Sequence, residues 1–214
     1  MTKTLVLDTE TTGGAKADQV IELAYIELNS LKEEIEALQT CKEDNILSSG
    51  YIPAVLYLIS NERYKPSCKI NPRAYDVHGI SYMQLINCPK ARTISLPDEI
   101  DYIIGHNISF DKRMLEQTNP DLKDKLDKVK YICTLALAKV NSKYSDIKYE
   151  NHKLDTLAKH YYPEHEETLS TEFHSAQIDV LKTLLVLLAM VESFTELETY
   201  EDVWNFQQSL KNFK

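Results

Sequence analysis

Three stretches far apart in the chain each place acidic residues beside an apolar run. They are Asp8-Thr9-Glu10-Thr11-Thr12-Gly13, His106-Asn107-Ile108-Ser109-Phe110-Asp111 and His174-Ser175-Ala176-Gln177-Ile178-Asp179. A carboxylate at the edge of a core costs free energy unless it is paired, hydrogen-bonded or bound to a cation. Four of them restrict the chain to folds in which those costs are met together.

Leu5-Val6-Leu7 reads as a short buried strand, too short and too β-branched for a helix. Side chains alternate along a strand, so Asp8 and Glu10 leave from one face and Thr9 from the other. Two close carboxylates repel unless a cation lies between them. Magnesium and manganese take oxygen ligands of this kind. Gly13-Gly14 then allows a sharp turn. Alone, this stretch reads equally well as a polar strand end running into an ordinary turn.

Tyr102-Ile103-Ile104-Gly105 predicts a second buried strand, ending in His106-Asn107. Ser109 or Asn107 is placed to cap a helix through Phe110, Met114 and Leu115. Asp111 then falls in the first helical turn, where the dipole favours negative charge with or without a metal. His106 reads as a packed, hydrogen-bonded side chain. The third stretch opens the most apolar segment, Val180 to Val191, interrupted only by Lys182 and Thr183. A helix apolar on most sides is buried in a domain centre. His174 lies five residues before Asp179, roughly 140° around a helix. The two meet only if His174 sits in the preceding loop and folds back.

Together these residues resemble the DEDDh exonucleases, the superfamily of proofreading epsilon subunits, ribonuclease T, oligoribonuclease and exonuclease X. Asp-Thr-Glu-Thr-Thr-Gly is similar to the first family motif, His-Asn-Ile-Ser-Phe-Asp to the second and His-Ser-Ala-Gln-Ile-Asp to the third. Ile132-Cys133-Thr134-Leu135 and Ile147 through Asp155 look most like the exonuclease X branch. The resemblance covers roughly residues 3–28 and 66–192. It implies an α/β, ribonuclease H-like mixed five-stranded sheet flanked by helices, and two Mg2+ or Mn2+ ions held by Asp8, Glu10, Asp111 and Asp179. His174 becomes the general base. Thr11, Thr12, Asn107 and Phe110 become substrate contacts, and the loop with His78 and Ile80 packs on the last base. The implied activity is 3′–5′ exonucleolytic release of nucleoside 5′-monophosphates, from DNA in preference to RNA. Two other readings stay open: an exoribonuclease acting on RNA ends or short oligoribonucleotides, and a catalytically silent nucleic-acid-binding module.

At 214 residues the chain suits one exonuclease domain, 1–192, with an insertion at about 29–65 and an acidic helical extension at 193–214. The insertion starts with a helix through Leu31, Ile35 and Leu38 and is expected to pack on the sheet edge. Strands are expected at 3–8, 20–28, near 66–71, at 101–105 and at 130–133. Residues 207–213 vaguely resemble the Gln-x-x-Leu-x-x-Phe sliding-clamp peptide without its second aromatic, and an amphipathic terminal helix is the preferred reading. Four scattered cysteines, no leader pattern and no membrane span predict reduced thiols in a cytoplasmic protein. A net charge of −9 opposes phosphate binding in general. Arg73, Lys112, Arg113, Lys148 and Lys153 are the basic positions available for a track beside the site.

Overall fold

The computed structural model describes residues 2–145, 147–170, 173–194 and 196–211. Its sheet contains β1 (Thr4–Thr11), β2 (Val20–Leu28), β3 (Ser60–Arg63), β4 (Tyr102–Gly105) and β5 (Lys130–Cys133), in the order β3-β2-β1-β4-β5. The first three pair antiparallel, and β4 and β5 run parallel to β1. The helices are α1 (Leu31–Glu43), α2 (Ile52–Leu58), α3 (Pro72–His78), α4 (Tyr82–Leu85), α5 (Ser109–Thr118), α6 (Lys123–Leu126), α7 (Thr134–Tyr144), α8 (Leu154–Tyr161), α9 (Glu166–Leu169), α10 (Ala176–Glu192) and α11 (Tyr200–Lys211).

Strand alternation divides the core between the two faces of the sheet. Val6, Ala24 and Ile26 face α10, whereas Leu5, Leu7 and Leu23 face Met114 and Leu115 of α5. The strip from Val180 to Leu188 is buried throughout, Lys182 included, so α10 is the central rod of its layer. Each fully buried Leu there contributes roughly 1.5–3 kcal/mol.

Two expectations change here. The third strand is Ser60–Arg63, registered from Tyr25↔Ser60 to Glu22↔Arg63, and residues 66–71 form no strand. An edge strand of four polar residues carries no alternating apolar signal, which is how edges avoid further pairing. The insertion at 29–65 thus supplies the edge strand itself, and its helices pack beyond the edge on one face of the sheet. Leu31 and Leu38 of α1 and Ile52 and Val55 of α2 join the α10 side of the core, and Gln177 Nε2 donates to Leu56 O at 3.0 Å. The starting residue of α1 is well chosen, because the Ser30 side chain accepts from Glu33 N.

The last helix is also built into this layer, through buried Tyr200 and Val203. The first residue of the clamp-like stretch is spent within the fold. Gln207 is buried, accepting from Cys133 N at 2.7 Å and donating to Tyr131 O at 2.9 Å, so its amide completes the open edge of β5. Phe213 lies outside the described residues. No helix among the described residues is long and apolar enough to cross a membrane.

Truncating the rod tests its importance directly. Leu184→Ala should cost about 2–5 kcal/mol in urea unfolding, the range for large-to-small changes in tight cores. A loss under about 1 kcal/mol would show that the layer relaxes around the cavity.

Candidate active site

The C-terminal end of β1 lies where both helical layers approach the sheet. Asp8 and Glu10 continue the face of Val6 toward α10, while Thr9 turns to the α5 side and donates to Asp111 Oδ1 at 2.8 Å. Asp111 occupies the first turn of α5 and is 3% exposed. Asp179 occupies the first turn of α10, 6% exposed. His174 lies in the loop before α10 and folds back, with Nδ1 3.1 Å from Asp179 Oδ2. Ligand atoms of Glu10, His174 and Asp179 fall within 4.8 Å of one another.

The electrostatics divide these groups. Burial first, then the charges of Asp111, Asp179 and Glu10, push Asp8 well above the usual carboxylate range. Burial and the Asp179 charge raise Glu10 to about 8, with His174 opposing. Burial raises Asp111 to about 7 against the stabilising bonds from Thr9. Asp179 behaves differently. Burial would raise it, but the His174 bond and the nearby Lys182 outweigh that and hold it below its ordinary value. His174 is raised in turn, chiefly by its bond to Asp179. These crowded carboxylates form an oxygen donor set, and hard divalent cations fit it.

Several supports were not evident from sequence. Lys182, one turn after Asp179, is buried and donates to Asp179 Oδ1 at 3.1 Å and Asp155 Oδ1 at 2.6 Å. Its i,i+3 spacing from Asp179 was a usable signal. Glu22, 1% exposed, accepts from Arg63 Nε at 2.8 Å and from Ala176 N at 3.2 Å, so β2 anchors the first residue of α10. Nothing in the local sequence of Glu22 announces that long-range contact. The His174 loop is fastened from the other side as well, by His174 N donating to Val77 O. Gly79, at φ 66°, leaves space where a Cβ would lie 2.8 Å from the Phe173 ring.

The remaining site candidates fare unevenly. The Ser109 or Asn107 cap on α5 is absent: Ile108 holds the cap position, and Asn107 turns at φ 66° to accept from Phe110 N through its carbonyl. Thr11 and Thr12 are buried, their hydroxyls spent on Gly13 O and Asp18 Oδ1. His78 and Ile80, expected against the last base, are both buried within the protein. Ile80 packs with Ile21 and Leu85, and His78 accepts from Ile80 N on Nδ1, leaving Nε2–H for Thr11 O. Burial lowers the His78 pKa, so this neutral ring braces the β1 end from behind. His106 is likewise packed, between Thr134 Oγ1 and His152 O. Of the basic positions, Lys112 is drawn to Asp127 and Glu116 on the far side of α5. Arg113 stacks on Phe110 and reaches Gly14 O, beside the turn that follows β1.

No protein-family model matches the chain, and no curated protein matches it in sequence. Solved structures do. Exonuclease X in complex with 5′-overhanging duplex DNA aligns at 18% identity and a TM-score of 0.52, over 94% of this chain and 99% of that one. Exonuclease I aligns at 15% identity and a TM-score of 0.63, over 96% of this chain and 43% of that one. E. coli exonuclease I with a dA13 oligonucleotide aligns at 14% identity and a TM-score of 0.61, over 96% of this chain and 42% of that one. The chain thus spans less than half the length of exonuclease I. At these identities the likeness establishes architecture: this is the ribonuclease H-like α/β fold of those exonucleases, a mixed five-stranded sheet flanked by helices.

A group that keeps its proton in the fold but releases it near 4.5 when unfolded binds more protons folded than unfolded between those values. Glu10, held at about 8, therefore makes metal-free protein lose stability as pH rises from about 4.5 to 8. The raised His174 adds in the same direction, its contribution lost as pH climbs through its elevated pKa. Metal-free protein should melt lower at pH 8 than at pH 6, and manganese should reverse the difference. Glu10→Gln should raise the metal-free melting temperature at pH 8 by about 2–8 °C, from roughly 1–2 kcal/mol of relieved burial and repulsion. Equal melting at both pH values would contradict the crowded arrangement.

Proposed function

We propose that the chain is a metal-dependent 3′–5′ exonuclease of the DEDDh type, releasing nucleoside 5′-monophosphates from DNA ends. The observation that carries this reading is the gathering of Asp8, Glu10, Asp111 and Asp179 around one strand end with His174 bonded to Asp179. The DNA preference follows exonuclease X and exonuclease I, whose solved complexes contain DNA. The four unpaired cysteines suit a reducing, cytoplasmic setting.

Asp8, Glu10, Asp111 and Asp179 would hold two magnesium or manganese ions, which would supply Lewis-acid charge to the phosphodiester. Asp8 would contribute to both ion sites, Glu10 and Asp179 to one of them and Asp111 to the other. His174 takes the proton of the attacking water. Its Nδ1–H donates to Asp179, which leaves the Nε2 lone pair to receive that proton. Asp179 thus orients the base, while Lys182 holds the other Asp179 oxygen and fixes the carboxylate. The Thr11 backbone, braced by His78, meets the terminal 3′ hydroxyl.

One set of assays tests the reading. End-labelled single-stranded DNA, duplex DNA and RNA are incubated with magnesium, with manganese and with chelator. Metal-dependent shortening from the 3′ end, one nucleotide at a time and fastest on DNA, is the expected result. His174→Ala should slow cleavage about a hundredfold to ten-thousandfold and keep the manganese-induced rise in melting temperature. Asp8→Ala should be slower still and lose that rise. The ring of His174 lies close enough to Glu10 to act as a ligand instead. A His174→Ala protein that no longer responds to metal would assign it that role, and inactivity on all three substrates would overturn the nuclease reading.

A further inference from the structure

A second concave region begins where the acid cluster ends. It is a groove of about 1220 Å³ between the segment 65–72 and the segment 81–92. Its inner end is stitched to the strand that carries the site. Asn71 N donates to Thr12 O at 2.8 Å, and Cys68 Sγ lies 3.3 Å from Thr12 Oγ1. The Gln19 side chain accepts from Ser67 N at 2.7 Å, holding the near wall to the start of β2.

The chemistry of this groove departs from that of the chain. Acidic residues outnumber basic ones 33 to 24 overall, yet the lining contains Lys65, Lys69, Lys90 and Arg92 and no carboxylate. Among the described residues none of these four cations is ion-paired; Lys65 reaches only the carbonyl of Ile86. Lys69, Lys90 and Arg92 are exposed. Tyr75 and Tyr82 line the same groove, each 45% exposed. Cations that follow a phosphate backbone, with aromatic faces on which bases stack, are what a single nucleic-acid strand requires of a protein. An acidic peptide would use the cations and have no need of the ring faces.

We propose that this groove holds the single strand leading away from the reaction centre, its phosphates on Lys69, Lys90 and Arg92 and its bases on Tyr75 and Tyr82. The proposal rests on the nuclease reading for the direction of the strand and adds a cationic track apart from Lys112, which is drawn to Asp127 and Glu116. It reconciles a net charge of −9 with an anionic ligand, because local uncompensated charge, not the total, sets the field that phosphates meet.

Binding tests it without cleavage. Fluorescent oligodeoxythymidylates of two and twelve nucleotides are titrated with the whole protein in EDTA across a salt series. Lys69→Ala/Lys90→Ala/Arg92→Ala should weaken the twelve-nucleotide strand at least tenfold and lower its salt slope by about 2, since each phosphate contact on a single strand contributes about 0.7. The dinucleotide should show no such loss. Tyr82→Ala should weaken the longer strand roughly fivefold to a hundredfold and leave the salt slope unchanged. Circular dichroism and melting confirm that the variants fold. An unchanged affinity and slope in the triple variant would overturn the groove while metal-dependent cleavage by the wild type still stood. Cleavage can fail independently, and a length-dependent loss of binding would then still support the groove. Hexa-aspartate bound as tightly as the twelve-nucleotide strand, with Tyr82→Ala neutral, would overturn it in favour of an acidic protein segment.

Discussion

Repulsion among buried carboxylates is the constraint around which the structure is arranged. Asp8, Glu10 and Asp111 are all raised by burial and by neighbouring acids, and the polypeptide offers them little positive charge. Such a cluster is unfavourable in the absence of cations and survives because surrounding elements hold it. Chief among these is α10, a rod buried along most of its length, which carries Asp179 into the crowded site. The stability invested in that hydrophobic layer is what allows the acid cluster to persist.

A second level of organisation aims the side chains. Glu22 grips the first backbone amide of α10 from β2, and Thr9 holds Asp111 from β1. Lys182 and His174 each take one oxygen of Asp179, and Val77 holds the backbone of His174. The Glu22, Thr9 and Val77 contacts join elements distant in sequence, so the site is an intersection of β1, β2, α3, α5 and α10. Of the four acids, only Asp179 is hydrogen-bonded to both His174 and Lys182, and it alone has a lowered pKa. On the proposed mechanism that asymmetry keeps the residue beside the base ionised, while the other three exchange protons for metal. The groove beside Thr12 extends the same division of labour: acids gather where cations are needed, and cations line the path where phosphates would lie.

Much of this architecture was legible along the chain because its strongest determinants are local. Alternation placed Asp8 and Glu10 on one face, β2 and β5 appeared at their observed limits, and the apolar run after Asp179 marked the buried helix. The fold-back of His174 followed from the helical pitch, since no other arrangement brings it to Asp179. Ser60–Arg63 carries no such local signal, because a polar edge strand is defined by its partner's hydrogen bonds and not by its own side chains. The cap on α5 failed for a related reason: Asn107 was committed to a left-handed turn that uses its carbonyl.

Taken alone, the sequence determined which residue types stand at the ends of which elements, because strand and helix periodicities are properties of short segments. It thereby determined the acid set, the histidine and the central rod. Only the tertiary structure decided which of those groups touch and which are spent elsewhere. It buried Ile80 in a small core, drew Lys112 away to Asp127, bound Gln207 to the edge of β5 and seated Lys182 between two carboxylates. It also brought Lys65 and Lys90 side by side in one groove. Contacts of this kind depend on distances closed by the fold between residues far apart in the chain, and no periodicity within a segment encodes them.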